Sequence, residues 1–205
     1  MPRQGGYVSV FCKKQSTTIQ PGFYFAFGDT LPDQQDETCP VRLYWNVQES
    51  GVVELVRCVT RELNRFKIPF RFKCLTRAGL YMRNDAAVLY VAKRLYRVVA
   101  ELLADSYQRL AGQLRADTPL FSKPLAPGLG LAEDPGNGES FGSHRCRLVA
   151  EAVWDVHTQG KQTVAARLEA VEKQFQQNGL AIESPHLGRG SINSYDWPAA
   201  ITSFL

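Results

Sequence analysis

Apolar residues recur along this chain with two different periods. Alternation at every second position marks strands, and recurrence at three and four positions marks helices. YVSVF (7–11) and FYFAF (23–27) read as short strands separated by the polar stretch QSTTIQPG. GDTLPDQQDETCP (28–40) reads as a loop, and VRLYWNV, from Val41 to Val47, as a stronger strand. In SGVVELVRCVTRELNRF the period lengthens: Val52, Val53, Val56, Val59 and Leu63 fall at helical spacing, with Ser50 in position to cap. IPFRFKCL returns to strand alternation, with Pro69 near its start, and LYMRNDAAVLYV reads as a turn between two strand-like segments. From Ala92 to about Leu114 the residues Leu95, Val98, Val99, Leu102, Leu103 and Leu110 predict a long helix. TPLFSKPLAPGLGLAEDPGNGESFG (118–142) carries too much Pro and Gly to sustain a regular element. HRCRLVAEAVWDV and QTVAARLEAVEKQF predict two further helices broken at Gly160, and a polar tail with an aromatic end follows Gly179. There is no internal repeat. The order predicts a single mixed α+β domain over 1–205, an antiparallel-type sheet packed with several helices.

Composition changes this picture little. The 205 residues are 44% hydrophobic and 21% charged, enough for a core that needs no staple. A net charge of +4 suits an anionic ligand without requiring one. No basic stripe with interleaved aromatics predicts a nucleic acid partner. No apolar run reaches membrane-spanning length, and MPRQGGYVSVFCKKQ has no signal-peptide core, so the expected location is cytoplasmic. The five cysteines, Cys12, Cys39, Cys58, Cys74 and Cys146, form no CxxC pair, and reduced, buried thiols are expected rather than a zinc site.

Three polar groups are candidates for chemistry. In PFRFK, alternation turns Arg71 and Lys73 to one face; mutual repulsion and partial burial would lower the lysine's pKa until it can act as a base. The plainer alternative is a solvated strand face. In MRNDAAVLY, Arg83 suits a phosphate or carboxylate, with Asp85 to hold it; an ordinary turn with a surface ion pair is the alternative. The stretch LAEDPGNGESFGSHR brings Glu133, Asp134, Ser140, His144 and Arg145 together after Lys123 in FSKPLAPG. It is neither a Walker loop nor a G-x-S-x-G elbow. Ser140 and Ser143 precede a predicted helix and could meet an anion there, or Ser143 simply caps that helix. Anion binding is the reading common to all three groups.

PFRFKCL, YMRNDAAVLYV and PLFSKPLAPGLGLAEDPGNGESFGSHRCRLVAEAV together resemble the HopA-class type III effector domain, over about Val41 to Val153. Residues 1–40 form a loosely built N-terminal part beside this core, and 154–205 supply C-terminal helices and the tail. Stand-alone versions of the domain occur in biosynthetic clusters for class V lanthipeptides and thioamitides. The resemblance implies a phosphothreonine-lyase-like fold and a phosphoserine/phosphothreonine lyase without cofactor or metal. Its implied partners are a phosphorylated precursor peptide and a separate kinase-like (aminoglycoside-phosphotransferase-like) protein, with a cyclase as a further candidate. Lys73 matches the proton-abstracting lysine, Arg71 its cationic neighbour, and Arg83 a phosphate-binding arginine. Arg145 is the candidate for a second such arginine, and Lys123 would add charge. The distant effector lyases place a general-acid histidine on the strand that here reads RLYWNV. Tyr44, Asn46 or His144 could stand in for it, or the acid is dispensable because arginines already clamp the departing phosphate.

On that reading, LAEDPGNGESFGSHR is an active-site loop closing over the phosphopeptide, with Glu133 and Asp134 orienting its cations. Two other classes stay open: a non-catalytic scaffold or peptide-binding subunit of a kinase-containing complex, and an effector acting on host targets. A cysteine phosphatase is disfavoured because Cys146 follows Arg145 without C-x5-R spacing.

Overall fold

A computed structural model describes residues 11–34, 36, 40–160 and 163–198. Seven strands form one antiparallel sheet in the order β1-β2-β4-β5-β3-β7-β6. They are β1 (Gln15–Ser16), β2 (Phe23–Phe27), β3 (Pro40–Trp45), β4 (Arg71–Leu75), β5 (Ala87–Ala92), β6 (Lys123–Ala126) and β7 (Leu129–Glu133). The described helices are α1 (Glu49–Arg65), α2 (Tyr96–Leu110), α3 (Phe141–Thr158) and α4 (Val164–Gln177). The fold is thus the α+β class that the sequence predicts. None of these helices is long and apolar enough to cross a membrane.

Alternation sorts each strand between two faces. The first face carries Val41, Leu43 and Trp45 of β3, Phe72 of β4, Leu89 and Val91 of β5, and Leu129 and Leu131 of β7. Leu55, Val59 and Leu63 of α1 and Val99, Leu103 and Leu110 of α2 join them in the main core. A smaller cluster lies on the second face, where Phe141 of α3 packs with Tyr44, Tyr90 and Ala132. Phe121 links it to Phe175 of α4, their ring centroids 6.3 Å apart.

Several predicted elements change. The strand expected at 7–11 lies outside the described residues except for Phe11, which is exposed coil. Helix α1 starts at Glu49 behind Gln48, not behind Ser50, and no side chain caps it. The Gln48 amide is already held by the Gln113 carbonyl, and Val47 bridges Leu114, so the chain enters the helix earlier. The long helix is regular only from Tyr96 to Leu110, with a tight turn at each end.

The largest correction concerns 118–142. This segment holds the hairpin β6–β7, and β7 pairs along β3 inside the sheet. Gly128 makes the turn at φ +72°, and Gly130 admits Ser122, whose Oγ would stand 2.8 Å from any added Cβ. Glycine and proline here serve close approach within a sheet, not a loop.

The tail is also part of the core. Tyr195 stands edge-on to Tyr96 with centroids 4.9 Å apart, and Trp197 stands edge-on to Trp45 and Tyr107. Of the four described cysteines, all free, Cys58 and Cys74 are buried as expected, while Cys12 is half-buried and Cys146 exposed.

Candidate active site

Residues paired across an antiparallel sheet share a face, so register alone builds the site. One row on the second face runs Lys73, Val88, Tyr44, Gly130 across β4, β5, β3 and β7. The next runs Arg71, Tyr90, Arg42, Ala132. Lys73 and Tyr44 therefore flank a small residue, their backbones about 10 Å apart. Arg71 and Arg42 flank a tyrosine in the same way. Their guanidinium carbons lie 4.4 and 5.4 Å from the centre of the Tyr90 ring. The Lys73 ammonium lies 4.5 Å from the Phe23 ring centre, and Arg83 reaches the same ring at 6.0 Å. Four cations thus converge on two aromatic rings, which accept positive charge on their faces.

This crowding weakens the hold of Lys73 on its proton. Burial chiefly, and then Arg42, Arg71 and Arg83, push its pKa down to about 8, against the pull of Asp85. Its Nζ donates to Gln20 Oε1 at 3.2 Å. Burial pushes the Tyr44 phenol up, with Arg42 opposing, so Tyr44 keeps a proton to give at neutral pH. The Tyr90 phenol is raised for the same reason.

Arg83 is held by Asp85 through two hydrogen bonds of 2.8 Å, the orienting contact that the sequence suggests. Asn46 is buried, and its Nδ2 donates to Asn84 Oδ1 at 3.2 Å and to the Asp117 carbonyl at 3.0 Å. It anchors the turn bearing Arg83, and its amide protons are committed there.

Arg42 is the candidate site residue that sequence reasoning missed. It is 8% exposed, donates twice to Asp134 Oδ2 and reaches the Glu139 carbonyl at 3.1 Å. The signal was present in VRLYWNV, whose alternation opposes Arg42, Tyr44 and Asn46 to Leu43 and Trp45. Asp134 does orient a cation, as expected, but the cation is Arg42.

The other expected site residues lie elsewhere. Arg145 is 1% exposed and donates to the Pro185 and Leu187 carbonyls at 2.8 and 2.9 Å, under the Phe141 ring. Its donors are consumed in fixing the tail, so it is no phosphate ligand. Lys123 pairs with Leu131 in register and so sits on the first face, where it donates to Asn193 Oδ1 and the Tyr195 carbonyl. Glu133 is on that face too, accepting from Lys93, Ser191, Tyr195 and the Gly188 amide. Ser140, not Ser143, caps α3, by accepting from the Ser143 amide at 3.1 Å. His144 Nδ1 lies 2.7 Å from Arg145, and its charged neighbours are Arg145, Glu139, Arg147 and Glu151 rather than the Lys73 row. LAEDPGNGESFGSHR is therefore the buried end of β7, a seven-residue connection from Asp134 to Ser140, and the first turn of α3. Among the described residues, no three His, Cys, Asp or Glu side chains are grouped to hold a metal ion.

Comparison with known proteins agrees with this architecture. The model of the HopA1 effector protein family matches residues 14–187, well beyond the Val41–Val153 core seen in the sequence. No curated protein matches the chain. The structure of the effector protein from Pseudomonas syringae pv. tomato strain DC3000 superposes with a TM-score of 0.64 at 20% identity, over 82% of this chain and 63% of that one. That from Pseudomonas syringae pv. syringae strain 61 gives 0.57 at 19% identity, with the same coverage. The chain thus spans 63% of the length of these two structures, and at such identities the likeness is one of fold.

Proposed function

The chain belongs to the HopA1 effector protein family, and on that premise we propose that it is a phosphoserine/phosphothreonine lyase. It eliminates phosphate from a phosphorylated ribosomal precursor peptide, leaving dehydroalanine or dehydrobutyrine. A separate kinase-like protein would supply the phosphate, and a cyclase would consume the alkene. The observation that carries this reading is the half-buried Lys73, pushed down to about 8 among arginines on the second face of the sheet.

In this reading the phosphorylated residue lies against Lys73, where Arg71, Arg83 and the Phe23 ring converge beside the buried Tyr44–Val88–Phe141 cluster. The neutral Lys73 amine takes the α-proton. The C–H electron pair becomes the Cα=Cβ bond, the Cβ–O bond breaks, and phosphate departs with the bonding electrons. Arg42, Arg71 and Arg83 offset its charge, and Tyr44 gives the leaving oxygen a proton. Hydrolysis by a cysteine nucleophile is poorly served. Cys74 is next to Lys73 but turned to the opposite face, and burial pushes its thiol up to about 11.

The test is to weigh the product formed from a phosphothreonine peptide, with and without chelator. Loss of whole phosphoric acid with a thiol-reactive alkene is expected, and Lys73→Ala should abolish it. Recovery of the free threonine peptide would mean hydrolysis. Inertness even with the cognate kinase and precursor present would favour a scaffold.

A further inference from the structure

The site opens at one end into a cavity of about 750 Å³ that shares Arg71 and Tyr90 with it. Its remaining wall is largely apolar, including Ile19, Phe27, Leu31 and Pro69. Ile19 is 58% and Leu31 66% exposed, large apolar side chains with nothing among the described residues to cover them. The carboxylate that lines it, Asp36, is neutralised by two 2.6 Å bonds from Arg94, while Lys13 adds positive charge. An anionic ligand is therefore not repelled on its way past. Sideways across the sheet the face is covered, because Phe141 packs on Tyr44, Val88, Tyr90 and Ala132, with the Tyr44 and Phe141 ring centroids 6.5 Å apart.

We propose that this cavity holds the substrate peptide beside its phosphorylated residue and selects a bulky apolar side chain there. The proposal rests on the lyase reading for its anchor: a phosphate fixed by Arg71 and Arg83 sends the attached chain out past Tyr90. From Lys73 to Pro69 along the strand direction is about 13 Å, so the selected side chain lies roughly two to four residues from the phosphorylated one. A peptide bound with a single polarity places the preference on one side of the phosphoresidue. The occupant is a peptide because the cavity joins an anion site to an apolar trough, and a free phosphate or small phosphoester would leave the trough empty.

Fluorescence anisotropy with Lys73→Ala protein reads binding without turnover. The probes are phosphothreonine peptides carrying Leu or Ser two, three or four residues to either side. Leucine on one side should tighten binding roughly tenfold, the discrimination an apolar pocket gives. The ratio should fall towards one when Ile19→Ser and Leu31→Ser are added. Equal binding of leucine and serine peptides would overturn the proposal, as would a preference that survives those substitutions. A preference erased instead by Val8→Ser and Val10→Ser would place the selecting surface in the first ten residues and also overturn it. Wild-type turnover separates the two readings. Selective binding without phosphate loss keeps the groove and removes the lyase; elimination with equal kcat/KM for both peptides does the reverse.

Discussion

A lysine can serve as a base near neutral pH only if its surroundings penalise its charge, and Lys73 owes its lowered pKa first to burial and then to Arg42. The elimination rate should therefore rise with pH, because the neutral amine is the active form, and level off above about 8. Two neighbours, the exposed Arg71 and the half-buried Asp85, test the electrostatic part in opposite senses. Arg71→Gln removes a repelling cation and should move the rising limb to higher pH; Asp85→Asn removes an attracting carboxylate and should move it lower. Limbs that shift together, or not at all, would refute this account. Lys73→Arg should lose on the order of 10²- to 10⁴-fold in kcat, because a guanidinium cannot be deprotonated in this range. Arg42 is the wrong residue for such a test. It forms a buried pair with Asp134, the two side chains 10% and 13% exposed, and breaking it costs about 3–5 kcal/mol through the stranded carboxylate.

At the scale of elements, β3, β4 and the helices are legible from recurring periods, and β2 and β5 as short apolar runs of strand-forming residues. PFRFK alternates, and its alternation placed Arg71 and Lys73 together before any coordinates. The hairpin β6–β7 was hidden because LGLAE satisfies its geometry with glycines, which carry no periodic signal, and because Glu133 is buried where a strand pattern expects an apolar residue. Arg145 and Lys123 misled for a related reason. A cation beside glycines looks like a ligand site until its carbonyl partners, some forty and seventy residues on, are seen. The turn itself gives a test. A Cβ at Gly128 would stand 2.3 Å from the Arg115 carbonyl oxygen and 2.9 Å from Leu114 Cβ, in addition to the strain of φ +72°. Gly138 has a similar φ of +81° but nothing within 4 Å. Gly138→Ala should cost about 1–2 kcal/mol from conformation alone. Gly128→Ala should cost clearly more and lower the thermal midpoint further, by roughly 2–4 °C for each additional kcal/mol. Equal midpoints would mean that the hairpin can shift to relieve the clash.

Across the whole molecule, the C-terminal segment is what joins the two faces of the sheet. It leaves α4 on the second face and gives the Pro185 and Leu187 carbonyls to Arg145. It then presents Gly188, Ser191 and Tyr195 to Glu133 on the first face. Burial by itself would raise the Glu133 pKa. The hydrogen bonds from Lys93, Ser191, Tyr195 and Gly188 outweigh it and hold the carboxylate below its usual range. A carboxylate lowered on folding contributes stability above its unfolded pKa, near 4.3, and loses it as pH falls through the folded value. Part of the acid unfolding below about pH 4 should therefore disappear in Glu133→Gln. Removing residues 180–205 should be far more severe. It strands a buried guanidinium, at about 3–5 kcal/mol, and withdraws the fully buried Tyr195, worth about 1.5–3 kcal/mol. It also uncovers Trp45 and Tyr107 where Trp197 now stands against them. Those losses approach the whole stability of an ordinary domain, about 5–15 kcal/mol. The shortened chain is expected to lose its near-ultraviolet circular dichroism and its cooperative thermal transition. A truncated chain that still melts cooperatively would show that the sheet and the first two helices stand without the strap, leaving Arg145 to find other acceptors.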